Sequence, residues 1–324
     1  MKRFESFMAD KLEQYVAYRQ GLDYAKKSLR PNLRAFDRYL IQQGADWHSL
    51  QPSFFLELRK KINKEPRTVN KILSALRGFF QYLVRQGFYT ENPLQDIPPL
   101  AERYFVPFVF SQKQTEQLLA AACKRVRKSK RYFLKDLAIY LAIVLLARCG
   151  MRINEPLRAL RGHYRGDEGT IYIEKTKFRK DRLIPVPEAV MTEIENYLAV
   201  RKSFCCDDQS PYLLAATNQR GLSDHRVRFV FHRAVKDIGL DRPKQVLANM
   251  TFGSPTPHCL RHSFAINTLK RIKDQGKFPQ HALPVLAAYM GHRKYQYTGA
   301  YLKVLDADHL AGLIDFAKSQ LDVI

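Results

Sequence analysis

The segment from Asn92 to Phe108, NPLQDIPPLAERYFVPF, carries four prolines, and no helix interior tolerates so many residues without a backbone donor. Helical patterning runs on both sides of it, so the chain must fold as two bodies rather than one continuous bundle. Upstream, Leu73, Leu76, Phe79, Phe80 and Leu83 recur at three- and four-residue spacing on one face, and Gly87 follows as a stop. Weaker segments of the same kind cover about 4–18, 23–43 and 51–62, which predicts a four-helix unit over residues 1–100. Residues 101–110 are then the linker, and 111–324 form a second, larger domain.

In that larger domain Ser111 and Gln114 have capping-box spacing for a helix through Ala122. A basic run follows from Lys124 to Arg131, and then an apolar helix from Leu134 to Cys149 closed by Gly150. Asn154 is placed to cap the next helix, with Glu155 in its first turn, where a carboxylate suits the helix dipole. The one clear β signal is Thr170–Glu174 and Arg182–Val186, a hairpin whose tip is the basic segment Lys175–Asp181. Helices resume at about 187–202 and 222–238. Thr256 and Pro257 open another at His258, and short helices follow near 283–290, 296–304 and 307–320. The fold class is therefore mainly α, with a small β-hairpin.

A net charge of +23 over 324 residues draws such a chain toward a polyanion. Nucleic acid leads, although anionic membranes and ribosomal surfaces also attract basic proteins. The five cysteines, Cys123, Cys149, Cys205, Cys206 and Cys259, form an odd set without CxxC spacing, unlike a secreted disulfide framework. A reducing, cytoplasmic setting is expected. The N-terminus lacks the apolar core of a signal peptide, and the longest apolar run, Leu137 to Ala147, is far shorter than the ~20 residues that span a bilayer. No membrane partner is expected.

Three separated islands hold the residue types that phosphoryl transfer needs. They are Cys149-Gly-Met-Arg152-Ile-Asn-Glu155, His258-Cys-Leu-Arg261-His262, and Met290-Gly-His292 with Tyr301 nine residues later. On a helix His258 and Arg261 share a face, so an imidazole and a guanidinium converge on one phosphate. In this order the islands resemble the tyrosine recombinase (phage integrase) family, with its Arg, Lys, His-x-x-Arg, His and Tyr signature. Arg67-Thr-Val-Asn-Lys-Ile-Leu-Ser-Ala-Leu-Arg-Gly-Phe-Phe and Asn92-Pro93 resemble the end of that family's first domain, so the likeness spans nearly the whole chain.

The resemblance implies an N-terminal SAM-like core DNA-binding domain and a mostly helical catalytic domain ending in a tail helix, the two clamping DNA between them. With no further domain ahead of residue 1, it implies the simple Xer-like architecture. The implied activity is site-specific recombination of double-stranded DNA at inverted-repeat core sites. It proceeds through a 3′-phosphotyrosine in a homotetramer on two DNA sites, and serves integration, excision or resolution of a mobile element. The ester stores the bond energy, so neither a nucleotide cofactor nor a metal is implied.

Physical chemistry gives each matched residue a task. The nonbridging oxygens gain charge in the transition state, so Arg152 and Arg261 are the expected clamp, with bidentate forks that lysine imitates poorly. A phenol has a free pKa of ~10, so Tyr301 needs a base and a positive field. His258 is the expected base, His292 the donor to the scissile phosphate, and Glu155 the carboxylate that orients its neighbours. The resemblance supplies a hairpin lysine to protonate the departing 5′ oxygen. Counting back from Arg182-Leu-Ile-Pro185 selects Lys177, with Lys175 and Lys180 open, because the turn lacks the family's usual glycine.

Other readings stand beside these. His258 and His262 at i, i+4 suggest a zinc pair, but no HExxH acid or second Cys/His cluster accompanies them. His262 is expected to be a structural hydrogen bonder. Tyr295 and Tyr297 compete with Tyr301, which the spacing from His292 favours. Arg67, Asn70, Lys71 and Arg77 lie off the apolar face of their helix and are candidate DNA contacts. The apolar tail after Tyr301 either caps its own domain or, as the family implies, docks on a neighbouring protomer. The rival functions are a DNA-binding protein that has lost the chemistry and a type IB topoisomerase.

Overall fold

Helix and strand assignments follow the apolar pattern closely. The computed structural model describes residues 3–22, 26–174, 181–205, 208–216, 221–247, 249–292, 296, 298, 299, 301 and 302. Lys175, Lys177, Lys180, Tyr295, Tyr297 and the expected tail helix lie outside these. The chain divides into two units, Met1–Tyr104 and Phe105–Ile324.

The first unit holds α1 (Ala9–Gly21), α2 (Lys26–Gln43), α3 (Pro52–Lys61) and α4 (Pro66–Arg85). α4 buries Val69, Ile72, Leu73, Leu76, Phe79, Phe80 and Leu83, the stripe that periodicity selects. Gly87 follows with φ of 76°, a left-handed stop that glycine adopts without steric cost. Two polar residues of α4 hold the proline-rich segment. Asn70 Nδ2 donates to the Leu100 carbonyl (2.9 Å) and Asn70 Oδ1 accepts from Leu100 N (2.8 Å). Arg77 donates through Nε to the Leu94 carbonyl (3.1 Å) and through Nη2 to that of Ile97. Leu94 and Ile97 are buried in this unit's core.

The second unit begins within β1 (Tyr104–Val106) and contains α5 (Gln112–Lys124), α6 (Phe133–Arg148), α7 (Asn154–Arg158), β2 (Tyr164–Arg165), β3 (Thr170–Ile173) and β4 (Arg182–Pro185). It continues with α8 (Glu188–Phe204), α9 (Asp224–Asp237), β5 (Gln245–Leu247), β6 (Met250–Phe252), α10 (Pro257–Asp274) and α11 (Pro279–Met290). Ser111 and Gln114 form the expected reciprocal cap of α5. α6 is apolar all round, as a central buried helix must be, and packs against α5, α8, α9 and α10. Phe108 and Phe110 belong to the same core, and Phe110 N donates to Ser263 Oγ of α10 (2.7 Å).

The hairpin pairs Ile173 with Arg182 and Thr170 with Pro185, and β2 adds a third strand beside β3. A second small sheet, ordered β1-β6-β5, had no counterpart in the sequence pattern. One expected cap is corrected. Asn154 is the first residue of α7 rather than its cap, and no side chain of Ile153 could serve. Instead the Glu155 carboxylate takes the Arg152 backbone N–H at 2.8 Å. Thr256 stands at the N-cap of α10 without a side-chain capping bond, its hydroxyl lying 3.2 Å from Cys259 Sγ.

Arg201 of α8 is 2% exposed and ties the helix to the chain beyond it. Its Nη1 donates to the carbonyls of Tyr212 (2.7 Å) and Leu213 (2.9 Å), and Nε pairs with Asp208 at 2.7 Å. Removing the guanidinium leaves the Tyr212 and Leu213 carbonyls without this donor, while Asp208 keeps Arg161 as a partner, so Arg201→Met is expected to destabilise the chain by about 2 kcal/mol. A lowered urea midpoint with an unchanged slope checks this.

Candidate active site

Three chain turns bring the matched residues together. Gly150 ends α6 with φ of 57°, and a Cβ there would sit 2.5 Å from the Phe264 ring, so glycine is required both for the turn and for the approach of α10. That turn delivers Arg152. α10 presents His258, Arg261 and His262 along one face. α11 ends at Gly291, φ 58°, in the left-handed cap that releases His292.

The carbonyls at the end of α11 organise the cations. Arg152 Nη2 donates to the carbonyls of Met290 (3.2 Å) and Gly291 (3.1 Å), and Arg261 Nη2 donates to that of Met290. Arg261 Nη1 donates to the Gly150 carbonyl at 2.7 Å. A third guanidinium, Arg182 of β4, donates through Nε to the Tyr289 carbonyl at 2.8 Å. The negative end of a helix dipole offsets part of the repulsion among these charges. Glu155 offsets more, since its Oε1 pairs with Arg152 Nη1 (2.8 Å) and its Oε2 with Arg182 Nη2 (2.9 Å). Burial pushes its carboxyl up, but the bond and charge of Arg182 and the Arg152 N–H outweigh that, so Glu155 stays below the usual range.

Tyr301 is 6% exposed, and its hydroxyl lies 3.0 Å from His262 Nδ1. His258 stacks edge-on against His262, with ring centroids 4.6 Å apart. His292 lies with its ring centroid 6.2 Å from that of Tyr301, and its Nδ1 is 2.8 Å from Thr298 Oγ1. Burial raises the Tyr301 phenol, and the positive fields of Arg261 and Arg152 oppose the rise. Burial and then His258 and Arg261 push His262 down to about 3, and burial and then Arg261 and Arg152 push His292 down to about 4. The His258 imidazole moves down as well, by desolvation first and then by the charges of Arg261 and Arg152. Burial, followed by Arg152, lowers Arg261 to about 9.

The structure therefore gathers Arg152, Glu155, His258, Arg261, His292 and Tyr301. It adds two residues that sequence reasoning passed over as functional. His262 is the imidazole whose nitrogen meets the phenol, and its i+4 spacing from His258 was the available signal. Arg182 shares its strand face with buried Ile184, and an arginine on the buried side of a strand was a signal too. Arg67 and Lys71 are exposed on α4, whereas Asn70 and Arg77 are engaged with the chain itself. Among the described residues no group of three His, Cys, Asp or Glu side chains is placed to hold a metal ion.

The depressed histidines have a stability consequence. His262 and His292 are neutral when folded and regain an ordinary value of 6.5 when unfolded. The unfolded chain then binds more protons below pH 6.5, so stability is full above that pH and declines as pH falls toward 4. The ceiling is about 1.4 kcal/mol per pH unit for each imidazole. Melting temperatures should be flat from pH 8 to 7 and fall between 6 and 5, by less in a His262→Phe variant.

The model of the "Phage integrase family" matches residues 109–308, and that of the "Phage integrase, N-terminal SAM-like domain" matches 16–87. The chain is 30% identical over 306 residues to the putative integrase/recombinase y4rE of Sinorhizobium fredii (strain NBRC 101917 / NGR234), covering 93% of each protein. It is 24% identical to the tyrosine recombinase XerD of Brucella suis biovar 1, covering 91% of each. Its fold is similar to that of the XerH site-specific recombinase bound to palindromic difH substrate in a post-cleavage complex. That match has a TM-score of 0.68 at 17% identity, covering 90% of this chain and 80% of the other. Among the described residues no helix is long and apolar enough to cross a membrane.

Proposed function

Since the chain belongs to the phage integrase family and is a tyrosine site-specific DNA recombinase, we propose that Tyr301 is its nucleophile and that the cations around Tyr301 form its phosphate site. The Tyr301 oxygen attacks phosphorus, forming a 3′-phosphotyrosine ester as the bond to the 5′ oxygen breaks. Arg152 and Arg261 clamp the nonbridging oxygens, and His292 donates to the same phosphate. His258 accepts the phenol proton, and His262, hydrogen-bonded to the hydroxyl, holds it for attack. Lys177 protonates the departing 5′ oxygen, and Glu155 fixes Arg152. A 5′-hydroxyl from a second strand then reverses every transfer, so no external energy source enters the balance.

The observation that carries this reading is the buried phenol beside two guanidiniums and the His262 and His292 imidazoles, which burial and nearby charges hold well below their ordinary pKa. Neutral imidazoles accept protons, and the fixed cations favour both the incoming anion and the phenolate. The double-stranded substrate carries inverted-repeat core sites. Joining two duplexes cuts four strands, one phenol for each, which calls for a homotetramer on two sites. Residues 1–100 grip DNA through exposed cations such as Arg67 and Lys71, residues 101–110 connect, and residues 111–324 do the chemistry. The role is integration, excision or resolution of a mobile element in the cytoplasm.

The test uses a nicked duplex carrying the sequence that the protein enriches from a random-sequence pool. Cleavage beside the nick releases a short fragment and traps the adduct. Peptide mapping should find the DNA on Tyr301. An adduct on Tyr297 would move the nucleophile, and tight binding without any adduct would favour a protein that recognises DNA without cutting it.

A further inference from the structure

Arg182 holds a position that its exposed strand neighbours do not share. It is the first residue of β4, directly after the lysine-bearing hairpin segment, and its side chain is 9% exposed. Two of its nitrogens are committed, Nε to the Tyr289 carbonyl and Nη2 to Glu155 Oε2. The third, Nη1, is buried without a hydrogen-bond partner among the described residues. A Cβ on Gly291 would stand 3.1 Å from that Nη1, so the guanidinium lies directly against the turn that releases His292.

Burying a cation with one donor unmade is costly, and it is kept only where the surroundings leave it no other pose. Those surroundings are the other members of the site. Glu155 divides its two oxygens between Arg152 and Arg182. Without Arg182 the carboxylate keeps the Arg152 guanidinium and the Arg152 backbone N–H, but its Oε2 loses the charge that holds it on the far side, and the abutment of Arg152 is weakened. Without Glu155, in turn, Arg182 and Arg152 would face each other as bare like charges. The three side chains act as one unit in which only Arg152 is open enough to meet a substrate, being 27% exposed.

We propose that Arg182 is a positioning residue of the strand-transfer reaction, which acts by locking Glu155 and through it the phosphate-binding pose of Arg152. This rests on the reading of Arg152 and Tyr301 given above. It makes Arg182 necessary for the chemical step and dispensable for noncovalent DNA binding, because its guanidinium faces Glu155 and the α11 carbonyls and not the solvent.

The experiment compares single-turnover cleavage of the selected nicked duplex by the parent, Arg182→Gln, Arg182→Lys, Glu155→Gln and the E155Q/R182Q double variant. Each is also tested on a duplex whose scissile 5′ oxygen is sulfur, a leaving group that departs without a proton. A misplaced clamp costs about 100-fold when reacting atoms shift by roughly 1 Å, so R182Q should cleave about that much more slowly with unchanged DNA affinity. The loss should be equal on the oxygen and sulfur substrates, R182K should recover part of it, and the double variant should be no slower than the slower single variant.

Parent-like cleavage by R182Q overturns the proposal. So does restoration of its rate by the sulfur substrate, which would assign the loss to the proton donor of the hairpin. If R182Q melts below the assay temperature, the E155Q/R182Q pair, which removes the buried carboxylate and the buried guanidinium together, decides: lost DNA binding there marks a purely structural role and overturns it, while retained binding with slow cleavage upholds it. An adduct that persists in Tyr301→Phe would sink the reading of the site itself. A fast R182Q beside an inactive Tyr301→Phe sinks only the role of Arg182.

Discussion

Replacing Tyr301 by phenylalanine is expected to remove the covalent DNA adduct completely while leaving noncovalent DNA binding in place. The ring stays, so its packing against α10 and α11 survives, and the core cluster around Ala265, Leu269, Leu283 and Met290 has no cavity to close. What is lost is the hydroxyl and its 3.0 Å bond to His262. The stability cost of one such bond is about 1 kcal/mol, too little to unfold a domain of this size. The chemical cost is different in kind, because among the described residues Tyr301 is the tyrosine whose hydroxyl meets an imidazole of the site, and the Thr298 hydroxyl beside His292 is an aliphatic alcohol, a far weaker acid than a phenol. Removing the nucleophile of a covalent mechanism costs roughly 10⁴-fold or more. Denaturing gels of the nicked duplex with saturating protein should show the retarded adduct with the parent and none with Tyr301→Phe, while native gels show both proteins bound. An adduct of parental intensity would transfer the role to another tyrosine.

The parts of this molecule that could be read from sequence are those governed by local repetition. The α4 stripe announces itself because 3.6-residue periodicity places every apolar member against one core. Gly87 and Gly150 are legible as helix stops because few other residues tolerate positive φ. Asn70 and Arg77 were not legible in the same way. Their partners Leu100, Leu94 and Ile97 lie 17 to 30 residues away, and an exposed-looking polar residue on a helix gives no local sign of whether solvent, DNA or its own chain will meet it. The β5 strand escaped notice because Gln245–Leu247 is exposed on both faces, which leaves no alternation to detect, and β6 because the residue it buries is the polar Thr251. Asn154 was the better capping residue by type, yet the Glu155 carboxylate took the Arg152 N–H, since the same oxygens were already held by two guanidiniums.

The site shows the same division. The order and spacing of Arg152, His258, Arg261, His292 and Tyr301 could be recognised, but the means of holding them could not. That means is the C-terminus of α11, whose last carbonyls at Tyr289, Met290 and Gly291 each accept from an arginine. Backbone carbonyls carry no side-chain identity, so this framework is invisible to any motif. It has a functional consequence, because carbonyl dipoles hold guanidiniums in place without neutralising them. The cations keep their full charge for an incoming phosphate, whereas carboxylates in the same positions would have competed with it.

Arg152→Ala is therefore the second variant with a large expected effect, and its chemistry separates cleanly from its stability. Arg152 is 27% exposed, so water can reach the Met290 and Gly291 carbonyls it leaves behind, and Glu155 keeps Arg182 as its partner. Folding should lose about 1 kcal/mol. Strand cleavage should fall about 10³-fold, as it does when one preorganised donor to a transition-state oxygen is removed. Arg152→Lys keeps the charge but has no planar fork to span Glu155, the α11 carbonyls and a phosphate oxygen together, so it should recover only part of the rate. Noncovalent affinity for the selected duplex should change far less than the rate in both variants, because many other phosphate contacts share the binding. Single-turnover cleavage beside an equilibrium binding curve gives the comparison, and cleavage by Arg152→Ala within about tenfold of the parent would mean that this guanidinium does not touch the reacting phosphate.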